Sequence, residues 1–296
     1  MQSFQPKLIL VATDFSRTAD EALRYASSIA ERHGARLLVI YADEFVPPLD
    51  ESSFLQAHAT IEQLLTAARE KLNANAAANV SSFVPFETRV VLDNPTPAIV
   101  RQAKESGADL LVMGTHGRTG FRRLVVGSVC ESVLKEIDIP VLAVSSAAAG
   151  HSKPGIRKIV CGVDYTLECA EALRVTAAVA PEARIVLIRA DDGESAARTA
   201  DDLRRLGRWL PSELIDRCEL KSVGASAAED LASFAAMAGA DLIAAGAPQT
   251  HALGDFLRGT ATDRIVQHSE CPVLVVNARA ARGEREAVLA NCACDA

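Results

Sequence analysis

The chain has 296 residues, enough for about two domains. Its 49% apolar and 23% charged content is that of a folded chain and not of a disordered one. With 31 Lys and Arg against 38 Asp and Glu the formal charge is −7, which argues against nucleic-acid binding, because that affinity rests on clustered cations.

No apolar stretch approaches the ~20 residues needed to span a bilayer, so no membrane partner is expected. The run Leu8–Ala12 behind Met1–Lys7 is too short for a secretory leader, so a cytoplasmic location is expected. Cys130, Cys161, Cys169, Cys218, Cys271, Cys292 and Cys294 are scattered, and no two pairs have the C-x-x-C spacing of a structural zinc site. Most are expected to be small core residues. Cys292 and Cys294 stand in a polar tail, open to a local disulfide, a metal or plain exposure.

In chain order, Leu8–Thr13 is a continuous β-prone run, the mark of a strand covered on both faces. Thr18-Ala-Asp-Glu21 has the form of a capping box, with Ala22, Leu23, Ala26, Ile29 and Ala30 at helical spacing behind it. A strand follows at Leu37–Tyr41, a helix at Ser53–Leu72, a strand at Phe86–Leu92 and a helix at Pro97–Ser106. A buried strand at Leu110–Met113, a helix at Gly127–Glu136 and a strand at Val141–Val144 close the unit. Such alternation implies right-handed crossovers and an open α/β sandwich of about five parallel strands.

The unit then repeats. Ile9-Leu-Val-Ala-Thr-Asp14 and Glu21-Ala-Leu-Arg24 return 150 residues later as Ile159–Asp164 and Glu171–Arg174. Gly107-Ala-Asp-Leu110, Gly127-Ser128 and Pro140-Val-Leu142 return at an offset of 132, as Gly239–Leu242, Gly259-Thr260 and Pro272–Leu274. The second copy is therefore 18 residues shorter in its middle. The expected division is a first domain at 1–146, a small polar linker at 147–155, a second domain at 156–277 and a tail at 278–296.

In open parallel sheets ligands bind beyond the carboxyl ends of strands, where strand order reverses. Two segments of the first copy lie at such ends: Thr13-Asp14-Phe15-Ser16, and the glycine-rich Gly114–Gly120 that leads to Gly127-Ser128 at a helix start. Glycines let backbone N–H groups approach an anion, and a helix amino terminus adds donors and a favourable dipole. Either this is a place for phosphates or the glycines serve only tight turns. It is not a P-loop, since no Gly-Lys-Ser/Thr follows.

The pattern Gly114-x2-Gly117-x9-Gly127-Ser128, with Asp14 and the strand at Pro140–Leu142, resembles the nucleotide signature of the universal stress protein family. The resemblance covers residues 7–144 and again 156–276. It implies two tandem Rossmann-like open parallel sheets with helices on both faces. It also implies bound ATP, or ADP or another adenine nucleotide, with or without Mg, and a role in stress survival or signalling. By position, Ala12, Thr13 and Asp14 would meet the adenosine, and Tyr41 stands where the family uses backbone groups to hold adenine. Met113, Gly114, His116, Gly117 and Arg118 would border ribose and phosphates, and Gly127, Ser128 and Val129 would present donors to the phosphates. Asp14 could equally be a plain helix-start residue, and His116 a general base or a loop residue that only packs. The family pairs modules through their last strands, which implies pairing of Val141–Val144 with Val273–Val276 within the chain, or a homodimer.

The second copy keeps Asp164, Gly246 and Gly259-Thr260, but Pro248, Gln249 and Thr250 replace the counterparts of His116, Gly117 and Arg118. Each change weakens a phosphate site. A cleft flanked by Ala245, Ala247, Leu253 and Phe256 would be less cationic and more apolar, either decayed or adapted to another ligand. The loop Asp43–Asp50 of the first copy, absent from the second, is either a closing flap or an ordinary connection. Three functions compete: a nucleotide-binding regulator, a slow ATP-hydrolysing enzyme with only Asp14 and His116 as candidates, and an interaction module with structural nucleotide.

Overall fold

The computed structural model describes residues 4–43, 54–115, 127–145, 155–163, 167–191, 212–224, 231–247 and 261–277. The first copy runs β1 (Leu8–Ala12), α1 (Arg17–His33), β2 (Arg36–Asp43), α2 (Phe54–Asn79), β3 (Phe86–Leu92), α3 (Pro95–Ser106), β4 (Leu110–Gly114), α4 (Ser128–Glu136) and β5 (Val141–Val144). The second runs β6 (Lys158–Gly162), α5 (Leu167–Val179), β7 (Arg184–Asp191), α6 (Ser212–Ile215) and β8 (Cys218–Gly224), then α7 (Leu231–Ala238), β9 (Leu242–Ala247), α8 (Ala261–His268) and β10 (Val273–Asn277).

Local chemistry sets the helix bounds. Ser16, not Thr18, caps α1: its side chain accepts from Ala19 N, and Gly34 ends the helix in the left-handed region at φ 64°. Thr18 lies inside the first turn, so the cap stands two residues before the anticipated one, and with Ala19 three residues on no reciprocal capping box forms. Helix α2 runs past Leu72 because Ala76, fully buried, keeps one face packed and Asn75 Nδ2 donates to Asp20 of α1 at 2.7 Å. Helix α3 starts at Pro95, not Pro97, since Asn94 accepts from Thr96 N and proline is tolerated in a first turn.

The strands form one ten-stranded sheet, β3-β2-β1-β4-β5-β10-β9-β6-β7-β8. Each copy contributes five strands in the order 3-2-1-4-5. Strand β5 meets β10 antiparallel, with Leu142 opposite Leu274; the other neighbours are parallel. Both faces are covered, so each central strand is apolar throughout. One core, holding Leu23, Ile29, Leu72, Leu173 and Val179, lies under α1, α2 and α5 and runs unbroken across both copies. The other, holding Ile99, Val133, Leu231 and Val266, lies under α3, α4, α7 and α8. Cys130, Cys161 and Cys169 are buried within these cores; Cys292 and Cys294 lie outside the described residues.

The repeated Gly-Ala-Asp-Leu segment receives a structural explanation. Gly107 and Gly239 adopt positive φ at helix ends. Asp109 Oδ2 then accepts from Lys7 N (2.7 Å) and Leu8 N (2.9 Å), and Asp241 Oδ2 from Arg157 N (2.8 Å) and Lys158 N (2.9 Å). Each carboxylate thus pins the start of the central strand of its copy. The copies are also joined on the α1 side, where Arg32 donates to Val179 O (2.9 Å) and His33 Nε2 lies 3.0 Å from Ala178 O. No helix among the described residues is long and apolar enough to cross a membrane.

Candidate nucleotide site

Strand order in the first copy reverses between β1 and β4, where Ala12 pairs with Met113. Beyond Ala12 the ladder gains one more bond, from Thr13 N to Ile40 O at 2.9 Å. The chain then turns sharply. Phe15 adopts φ 64°, a left-handed conformation rarely adopted by a bulky residue. Two side-chain bonds hold it there: Phe15 N donates to Thr13 Oγ1 (3.1 Å) and Ser16 N to Asp14 Oδ1 (3.0 Å). Asp14 therefore serves the turn that launches α1, at the very place where a ligand role was expected.

The strained turn sets the Phe15 ring against Tyr41 at the end of β2, centroids 4.7 Å apart and planes tilted by 47°. Lys71 of α2 places its ammonium 4.2 Å from the Phe15 ring centre, and the Tyr41 hydroxyl donates to Asp43. Sequence reasoning gave Tyr41 a role; it placed Phe15 and Asp43 at strand ends without one and did not name Lys71. An aromatic after a strand carries no periodic signal, and Lys71 comes from a distant helix.

At the end of β4, an added Cβ on Gly114 would stand 3.0 Å from Thr18 Oγ1 and 3.1 Å from Thr18 C. Glycine is needed there so that α1 can pack against β4. Thr115, 1% exposed, donates from its N–H to Val144 O at 2.9 Å and accepts from Gly127 N at 2.6 Å. Gly127 is thereby held against Thr115 at the end of β4; His116, Gly117 and Arg118 lie outside the described residues. Gly127 caps α4 with no side-chain acceptor, and Ser128 and Val129 occupy the first turn, exposed and half-buried. The structure brings Ala12, Thr13, Asp14, Tyr41, Met113, Gly114, Gly127, Ser128 and Val129 to one end of the sheet.

The family model described as the universal stress protein family matches residues 6–145 and 155–277. The chain belongs to that family. A universal stress protein of Thermus aquaticus is 41% identical over 140 residues, 47% of this chain and 98% of that one. One from Methanocaldococcus jannaschii is 33% identical over 138 residues, 47% of this chain and 81% of that one. Among solved structures, a universal stress protein from Archaeoglobus fulgidus superposes over 93% of this chain and 99% of its own, with a TM-score of 0.64 at 17% identity, a likeness of fold.

The second universal stress protein copy repeats the frame but not its furnishing. Val163 N donates to Ile188 O at 2.8 Å, the counterpart of the Thr13 bond. Where Tyr41 ends β2, however, Arg189 stands near the end of β7, 9% exposed, donating to Ser222 Oγ at 3.0 Å. Arg189 had no part in the expectations for this copy. Asp164, Pro248, Gln249, Thr250, Leu253, Phe256, Gly259 and Thr260 lie outside the described residues.

Proposed function

We propose that this universal stress protein binds one adenine nucleotide per chain, in the first copy, at the carboxyl ends of β1, β2 and β4, and acts as a regulator and not by turnover. The supporting observation is the closure of Gly127 N on Thr115 O at the switch point. It holds the start of α4, which no side chain caps, at the carboxyl end of β4, the strand next to the one that leads into the Asp14 turn. Amide donors of that helix start suit phosphate oxygens, and the Phe15–Tyr41 pair offers an aromatic edge for a base. Arg118 and Gly117 would supply charge and close backbone approach. ATP is the preferred occupant, with ADP as the alternative. A Mg ion would travel with the phosphates: among the described residues no three His, Cys, Asp or Glu side chains stand together as ligands.

The second copy, with Pro248 and Gln249 in place of two motif positions, would leave that site without tight nucleotide. In the same reading the β5–β10 contact persists in solution as an intramolecular pair, and the protein works in the cytoplasm. Calorimetric titration of the full chain with ATP tests the reading: one site is expected, lost in Gly117→Val. Two equivalent sites, or normal ATP binding by Gly117→Val, would refute it. Phosphate release that disappears in Asp14→Ala and His116→Ala would instead establish an ATP-hydrolysing enzyme.

A further inference from the structure

Between the copies lies a cavity of about 150 Å³ that nucleotide binding does not use. Because β10 runs antiparallel to β5, the amino ends of the second copy's strands share a sheet edge with the carboxyl ends of the first copy's. Tyr25 of α1 lines the cavity from the first copy; Asp241 ahead of β9, and Glu270 and Cys271 ahead of β10, line it from the second. Tyr25 is 7% exposed, and its hydroxyl has no hydrogen-bond partner among the described residues. The oxygen is not sealed inside the protein but opens on the cavity. Here the donor is left to whatever fills the cavity.

The fold does not require this polarity. At the repeat offsets, Val175 and Ile139 occupy the places of Tyr25 and Cys271, so the equivalent positions on the other side are apolar. Only one of the two junctions has acquired a phenol and a thiol. Burial pushes the Tyr25 phenol up to about 12, and neighbouring Glu21, Cys271 and Asp241 push in the same direction. Burial also pushes the Cys271 thiol up to about 11. Both groups are therefore neutral near pH 7, and the charge of the lining comes from carboxylates. Asp241 already accepts two backbone N–H groups, whereas Glu270 is exposed and has no ion-pair partner among the described residues. The remaining walls carry no charged or polar side chain, with Ile156, Gly239 and Ala240 among them. The space holds about five waters, or a solute of about four to six heavy atoms.

We propose that this junction cavity binds a compact organic cation of the amino-alcohol class, its ammonium facing Glu270 and Asp241 and its oxygen accepting from the Tyr25 hydroxyl. Such a ligand supplies the acceptor that Tyr25 lacks and the positive charge that the carboxylates lack. It touches both copies at once. Binding therefore favours their association, and it does so independently of any nucleotide.

The test is titration of the full-length protein, carrying ring-labelled tyrosine, with ethanolamine hydrochloride at constant ionic strength and pH 7. Saturable binding in the millimolar range with a shift of the Tyr25 ring signal is expected. Tyr25→Phe should weaken it about five-fold and Glu270→Gln about ten-fold, as expected for loss of a neutral and of a charged hydrogen bond. Ethylene glycol, equal in size but uncharged, should bind at least about ten-fold more weakly. A response that never saturates, affinity unchanged in both variants, or equal binding of ethylene glycol would overturn the proposal and leave the cavity to water. Should Tyr25→Phe fail to fold, the surface variant Glu270→Gln still decides the matter.

Discussion

Gly114→Ala is a sensitive probe of how the site is assembled. The added methyl would stand 3.0 Å from Thr18 Oγ1 and 3.1 Å from both Thr18 C and Thr18 Cβ. Rotating the threonine moves only the first of these. The other two belong to the first turn of α1, which Ala22, Leu23 and Ala26, all fully buried, hold against the sheet. Either α1 or β4 must then give by a few tenths of an ångström. Overpacking of this kind costs about 1 to 3 kcal/mol, which for a chain of this size lowers Tm by about 2 to 12 °C. The same shift disturbs the Asp14–Ser16 turn, so nucleotide affinity should fall with stability. Gly162→Ala is the control: its methyl would meet only Leu231 Cδ2, the movable tip of a side chain, at 3.3 Å, and Ala12 already fills the equivalent place in the first copy. That variant should stay within about 0.5 kcal/mol of the parent. Adding Thr18→Ala to Gly114→Ala removes the nearest contact and should restore part of the loss. Thermal and urea melts measure all of these. A Gly114→Ala protein as stable as the parent, or a Gly162→Ala protein equally damaged, would refute the packing argument.

Asp109→Ala and Asp241→Ala each strip two backbone N–H groups of their acceptor and should each cost about 1 to 3 kcal/mol in urea melts. At high pH the buried Tyr25 and the half-buried Cys218 and Cys271 should matter together. Their folded-state values are raised to about 12, 11 and 11, so the unfolded chain loses these protons first and stability falls as pH climbs from about 9 through those values. Phenolate absorbance should show a late step that Tyr25→Phe lacks. At low pH the sign reverses for His33. Burial above all, with Arg32 adding, lowers its value, so its contribution is present above 6.5 and lost as pH falls through the folded value; His33→Gln should flatten that part of the stability profile. Arg32→Met removes the bond to Val179 O and should cost about 0.5 to 1.5 kcal/mol.

Much of the fold was legible because buried strands leave unbroken apolar runs; β4 and β5, apolar and buried almost throughout, fall on the residues that their composition marks or within one of them. Helix ends were harder. Ser16 and Thr18 both suit a cap, and the choice is made by the left-handed turn at Phe15, a conformation no residue-type preference announces. The duplicated Gly-Ala-Asp-Leu was readable as a repeat, but its task, a carboxylate clamp across the sheet, depends on a partner about a hundred residues away. At the site, Asp14 and Tyr41 were visible from their strand ends. Gly114 was expected either to border phosphates or to serve a tight turn; the close approach of Thr18 is a packing demand that neither expectation contained. Lys71 was invisible, since its contact with Phe15 exists only once α2 has crossed the sheet.

The antiparallel seam between β5 and β10 has an evolutionary consequence. Two identical chains meeting across a two-fold axis must present the same residues twice, so any polar change on one side of the seam is repeated on the other and is selected at double dose. Joining the partners in one chain lifts that constraint. A short tether keeps their mutual concentration in the millimolar range whatever the dilution, so the seam need not be tight enough to find its partner. Each flank can then drift alone. Tyr25 and Cys271 could arise while Val175 and Ile139 stayed apolar, and Arg189 could enter β7 while β2 kept Tyr41. Fusion thus turns a symmetric assembly into one in which the two flanks can be selected for different tasks.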